Sequence, residues 1–149
     1  MVRIIEKILL KYFPRFYLGL TRAQDSNDRF LFGSDFIKKN KKDSNISILD
    51  VGCGGGNFFA YINSVIKNAD YLGVDFDYEK MKENKFNDYK NFKIISQDLR
   101  SDWFFKEHDF VWSSEVIEHL FDDQNFFKKL IKSTKKGGYI IITTPYYNS

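Results

Sequence analysis

The sequence predicts a doubly wound α/β fold with a mainly parallel sheet and flanking helices, and three observations carry that expectation. Beyond residue 45, short apolar runs of strand length alternate with stretches of helical periodicity. The last of these runs, 139–143, is continuously apolar, as expected of a strand covered on both faces. The first leads into Gly52-Cys53-Gly54-Gly55-Gly56 and then a helix. Such a glycine-dense turn lets a ligand approach the backbone, and the helix behind it presents free N–H groups.

Taken in order, the chain opens with Ile4, Ile5, Ile8, Leu9, Tyr12 and Phe13 on one side of a helical wheel and basic residues on the other. A basic amphipathic helix suits a membrane surface or a partner; docking on the domain, or over its ligand cleft, is the plainer reading. A second helix is expected near 27–39, and the run 38–45 reads as a solvated linker. Residues 1–45 thus form an N-terminal helical cap and linker, and residues 46–149 the core domain. Strand one covers 47–51, and Phe58, Phe59, Ile62, Val65 and Ile66 mark the helix behind it. Strand two, 71–75, precedes a charged helix at 78–85, and strands three and four fall at 93–96 and 110–113. A helix at 123–135 has Asp122 or Asp123 as its N-cap, Phe126, Phe127, Leu130 and Ile131 as its apolar stripe, and Gly137 as its stop.

The 149 residues sit near the usual domain size of about 100–150. Most of the 16 phenylalanines should be core. Tyr12, Phe16, Tyr17 and Phe30 fit either an apolar acceptor pocket or ordinary core, with core the plainer reading. A net charge of +3 argues against nucleic acid, whose binders usually show a basic stripe and a pI above about 9. Cys53 is the only cysteine, which excludes an internal disulfide and reads as a small buried filler. Neither an apolar run of about 20 residues nor a secretory pattern is present, so no membrane span and a cytoplasmic location are expected.

The glycine turn has the pattern D-x-G-x-G-x-G, with Asp50 two residues before Gly52. A dinucleotide fingerprint, G-x-G-x-x-G, would need glycine where Asn57 stands, which disfavours a dinucleotide oxidoreductase. Strand two ends in Asp75, one strand-helix-strand unit after Gly56, and strand three leads to Asp98 and Leu99. The fourth strand runs into Ser113-Ser114-Glu115-Val116-Ile117-Glu118-His119, and Lys136-Gly137-Gly138 precedes the fifth. In this order, over about residues 46–145, the five motifs resemble those of the class I S-adenosylmethionine (SAM) dependent methyltransferases, whose fold is Rossmann-like.

The resemblance implies a SAM site formed by Asp50, Gly52, Cys53, Gly54, Gly56, Asp75, Phe76, Asp98, Leu99, Ser114 and Glu115. The glycines would hold the methionine portion, Asp75 the ribose, and Asp98 with the Leu99 backbone the adenine. Asp50 would order the loop or meet the cofactor's ammonium group. Simpler roles stand beside these: Asp75 as a helix N-cap and Asp98 as a turn cap. Glu115-x-x-Glu118-His119 resembles the E-x-x-E-H of ubiquinone-biosynthesis O-methyltransferases and of small-RNA 2′-O-methyltransferases. On a helical turn these three would share a face. They fit a divalent metal site, a catalytic set in which His119 is a general base or orients the acceptor, or a merely structural turn. The other histidine, His108, reads as a loop residue.

The family normally adds two strands after the fifth, and the sequence stops short of them. That predicts a truncated sheet whose fifth strand is an exposed edge, to be covered by a partner subunit or a second copy. The functional expectation is SAM-dependent methylation of a hydroxyl on a small-molecule acceptor. An RNA 2′-O-methyltransferase-like enzyme, or a SAM-binding subunit or inactive remnant that needs a partner, are the alternatives.

Overall fold

A computed structural model describes residues 15–21, 26–82 and 85–145. The strands are β1 (Arg15–Thr21), β2 (Ser47–Val51), β3 (Asp70–Asp75), β4 (Phe92–Ser96), β5 (His108–Ser114) and β6 (Thr134–Pro145). The helices are α1 (Ser26–Asn40), α2 (Asn57–Val65), α3 (Tyr78–Lys82) and α4 (Asp123–Lys132), with a 3-10 turn at Ile117–His119. All strand pairs are parallel, in the order β1-β6-β5-β2-β3-β4. The five expected strands are β2 to β6, and the fold is the Rossmann-like α/β architecture that the sequence predicts. No antiparallel strand follows β6 among the described residues.

The sixth strand is a correction. Residues 15–21, assigned by the sequence to a helical cap, are extended and pair with β6 from Arg15 opposite Tyr139 to Thr21 opposite Pro145. The edge that the sequence leaves to a partner subunit or dimer is therefore covered by the chain's own β1. Arg-Phe-Tyr-Leu-Gly-Leu-Thr carries two aromatic residues, one β-branched residue and a helix-weakening glycine, and a long-range partner decides its state. The amphipathic pattern from Ile4 to Phe13 lies outside the described residues.

A second correction concerns the end of α4. Asp122 caps its start, accepting from the Asn125 N–H at 2.9 Å, but the helix stops at Lys132, before Gly137. Thr134 already pairs with His108, and the next pairs begin at Phe110 opposite Tyr139. The intervening residues bulge, and Gly137 supplies the bulge's left-handed residue at φ 78°. Lys135 Nζ reaches Asp109 at 2.9 Å, and Asp109 accepts from the Ser47 N–H and hydroxyl at 2.8 Å. This ties the bulge to β2 and β5.

Alternation along the strands divides the core between the two faces of the sheet. One face packs Ile48, Phe110, Trp112 and Ile141 against Phe58, Phe59 and Ile62 of α2 and Ile37 of α1. Trp112 stacks on Phe58 with ring centroids 4.4 Å apart. Phe30 packs on Phe58 and Tyr61 as core, whereas Tyr12 lies outside the described residues and only the backbone of Phe16 and Tyr17 is described. The other face packs Leu49, Val74, Val111 and Ile140 against Phe126 and Leu130 of α4 and against Trp103. Among the described residues, no helix is long and apolar enough to cross a membrane.

Candidate cofactor and acceptor site

The glycine turn leaves β2 with three left-handed residues close together, Gly52, Gly54 and Gly56. Gly52, at φ 84°, has its backbone against Val116, where an added Cβ would lie 2.1 Å from the valine side chain. Gly54, at φ 53°, has no atom within 4 Å of where a Cβ would stand. A side chain is therefore barred at 52 by contact and at 54 by conformation, and the space in front of Gly54 stays open. The N–H groups of Gly52 and Cys53 both donate to the Val74 carbonyl, at 2.8 and 3.1 Å, which pins the turn to β3. Helix α2 follows Gly56 with no side chain capping its amino end.

Asp75 braces this turn. Its Oδ2 accepts from the Gly54 N–H at 2.8 Å and its Oδ1 from the Asp77 N–H at 3.0 Å. The capping role belongs instead to Asp77, which accepts from the Lys80 N–H at 3.2 Å. Asp75 also lines a cavity of about 510 Å3 at the carboxyl ends of the strands, within the size range of ligand sites. The same cavity gathers Gly52, Phe76, Asp98, Leu99, Glu115 and His119 from the expected set. Asp50 and Cys53 lie beneath the turn, with Cys53 Sγ so close to Gly73 that a Cβ there would meet it at 2.8 Å. Burial pushes the Cys53 thiol up, in keeping with a filler. Ser114 stands outside the wall, accepting from the Thr143 hydroxyl at 2.7 Å.

Asp98 is held by Arg100, which donates from its backbone N–H and Nε to Oδ1 at 2.9 Å and from Nη2 to Oδ2 at 2.8 Å. That side-chain pairing draws its carboxyl down to about 2. The loop behind it rests on Lys129 of α4, a buried lysine that donates to the Ser101 carbonyl and sits 5.6 Å from the Trp103 ring centre. Arg100 and Lys80, which line the same cavity, were not legible as site residues. For Arg100 the signal available was its place two residues after Asp98, within reach of the same turn.

Glu115 is the one non-glycine residue with positive φ among the described residues, at 56°. Such a bend costs energy and concentrates at functional sites. It also removes the premise on which a metal trio rests. Glu115 precedes the 3-10 turn instead of lying on a helix, and Glu118 is exposed and forms no wall of the cavity. Among the described residues no three His, Cys, Asp or Glu side chains gather as a metal site, so the expected divalent ion does not fit this arrangement. Glu115 and His119 do share the cavity wall. Burial raises the Glu115 carboxyl, opposed by the charge of Arg29 on α1. Glu115 Oε1 and Arg29 Nε are both buried without a hydrogen-bond partner, an arrangement that leaves one acceptor and one donor to be satisfied.

Asp50 is fully buried and accepts from the Tyr71 hydroxyl. Burial pushes its carboxyl up to about 7, against the Tyr71 hydrogen bond and with help from the charge of Asp75. In the unfolded chain this group ionises near pH 4. Between those values the fold binds the extra proton, so the stabilising contribution is complete below about pH 4 and lost as pH climbs through 7. Asn at this position keeps an acceptor for Tyr71 without the titration. Asp50→Asn is therefore expected to gain on the parent by on the order of 2–4 kcal/mol between about pH 4.5 and 8 in urea unfolding. A difference that stays constant with pH would show an ordinary carboxylate.

Residues 42–149 match the methyltransferase domain family. The chain is 31% identical over 105 residues to the ubiquinone biosynthesis O-methyltransferase of Pelagibacter ubique, covering 67% of this chain and 42% of the relative. It is 27% identical over 100 residues to a malonyl-[acyl-carrier protein] O-methyltransferase of Ilyobacter polytropus, covering 66% and 39%. The chain thus spans less than half the length of these curated relatives. The fold resembles that of coclaurine N-methyltransferase bound to N-methylheliamine and S-adenosylhomocysteine (SAH), with a TM-score of 0.65 at 16% identity over 83% of this chain and 38% of that one. With the family match, the ordered glycine and aspartate motifs and the parallel sheet in agreement, the chain belongs to the methyltransferase domain family of the class I SAM-dependent methyltransferases.

Proposed function

We propose that this chain binds SAM and carries methyl transfer to a hydroxyl of a small molecule. The observation that supports this most is the convergence of Asp75, Asp98, Leu99, Glu115 and His119 on one cavity beside the open face of Gly54. The O-methyltransferase names of the relatives favour oxygen as the acceptor. The single thiol and the absence of a spanning helix among the described residues fit a cytoplasmic setting.

Bound SAM supplies an electrophilic methyl on a sulfonium. The glycine turn receives its methionine portion, the Asp75 carboxylate its ribose hydroxyls, and Asp98 with the Leu99 backbone its adenine. Phe76, Leu99, Val116 and Leu120 give the cavity apolar walls that exclude water. His119 takes the acceptor's hydroxyl proton on a ring nitrogen, and Glu115 orients the acceptor or the imidazole. Alignment of acceptor and methyl is the larger part of the catalysis.

The test is calorimetric binding of SAM and SAH, followed by transfer of labelled methyl to hydroxylated aromatic acceptors by the parent and His119→Gln. Saturable SAM binding, with transfer that falls at least tenfold in the variant at unchanged SAH affinity, is expected. Transfer to RNA in preference to small molecules would overturn the acceptor, and affinity for NAD exceeding that for SAM would overturn the cofactor. Binding without transfer until a second protein is added would favour the SAM-binding subunit reading.

A further inference from the structure

A second cavity, of about 440 Å3, lies at the opposite edge of the sheet, where β2, β3, β4 and β5 begin. Nothing in the proposed methyl transfer uses it, yet its volume is that of a small-molecule site. Leu72, Ile95 and Phe105 give it apolar walls, and Lys90, Lys93 and Lys106 surround it. These three lysines are exposed, and none forms an ion pair with a carboxylate of a described residue. Asp70 is the one carboxylate in its lining.

One further observation points to a ligand. Phe104, also in the lining, is 70% exposed, an aromatic face that a bound ring would cover.

We propose that this cavity is a second ligand site, for a phosphate monoester carried on an aromatic body. Three ammonium groups against one carboxylate leave two positive charges, matching the roughly dianionic state of a phosphate monoester at neutral pH. The phosphate seats among Lys90, Lys93 and Lys106, and the ring lies over Leu72 and Ile95 beneath Phe104.

The experiment is a calorimetric titration of the chain with phenyl phosphate, inorganic phosphate and phenol, each with and without saturating SAH. Phenyl phosphate is expected to bind at one site, more tightly than inorganic phosphate, with phenol silent and SAH without effect. The double variant Lys93→Gln/Lys106→Gln should weaken phenyl phosphate at least tenfold. Phe104→Ser should weaken phenyl phosphate while sparing inorganic phosphate, and neither variant should change the affinity for SAH. Absence of saturable phenyl phosphate binding, displacement by SAH, or indifference to the lysine variants would overturn the proposal. A merely adventitious phosphate site would bind both phosphates equally and ignore Phe104→Ser. Because SAH is titrated separately, failure here leaves the cofactor reading standing.

Discussion

Asp75→Ala is expected to weaken SAH binding at least about 100-fold, measured by calorimetry on a chain that stays folded. Two hydrogen bonds from ribose hydroxyls to an ionised carboxylate contribute about 1.5–3 kcal/mol each, and 100-fold corresponds to about 2.7 kcal/mol. The effect has a second source, because the same carboxylate holds the Gly54 N–H at 2.8 Å and the Asp77 N–H at 3.0 Å. Its removal frees the glycine turn as well as the ribose. Asp75→Asn separates the two. One amide oxygen can still accept from Gly54, so the glycine turn keeps its brace while the Asp77 N–H and the paired acceptors for the ribose are lost. Affinity in the Asn variant close to that of the parent would sink the ribose role and leave Asp75 as a brace alone.

Trp112→Ala is expected to cost about 3–5 kcal/mol in denaturant unfolding, a large fraction of the roughly 5–15 kcal/mol that stabilises a domain. The indole is 1% exposed and stacks on Phe58. It also fills the space over Gly33 so closely that a Cβ there would come within 2.6 Å. The tryptophan therefore seats α1 and α2 on the same face of the sheet. Helix α1 carries Arg29, whose charge acts on Glu115, so the loss should reach the acceptor end of the cavity too. Trp112→Phe keeps a ring against Phe58 and should recover more than half of the loss. A cost below about 1 kcal/mol for the Ala variant would show that the face repacks, as poorly filled cores can.

The sequence made the cofactor side of this chain readable because its signals are local. The apolar run Ile48-Leu49-Asp50-Val51 and the glycines behind it define strand, turn and helix within a dozen residues. Asp75 is fixed by the end of the next strand. What was not readable depended on distant partners or on a single dihedral angle. The segment from Arg15 to Thr21 reads as part of the helical cap because of the amphipathic run before it, and its strand pairs with the distant β6. Lys135-Lys136-Gly137 reads as a helix stop, whereas pairing with β5 draws it into the strand as a bulge. Glu115, Glu118 and His119 share a face only if the helix starts at Glu115, and the φ of 56° there prevents it. Arg29 acts by its charge on Glu115, and Tyr71 donates to Asp50, solely because the tertiary fold brings them together.

The pairing of β1 with β6 also sets an order of events. Arg15 faces Tyr139, so among the described residues the first strand has its neighbour in the last, and closing so long a span is entropically slow compared with forming β2, β3 and their helix. During synthesis β1 leaves the ribosome long before β6 exists and waits with its backbone unpaired. The glycine turn and Asp75, contained in the early β2-α2-β3 unit, can assemble in the meantime. The β1 edge of this sheet is thus made early and paired last, whereas its ligand-facing turn is among the first parts to form.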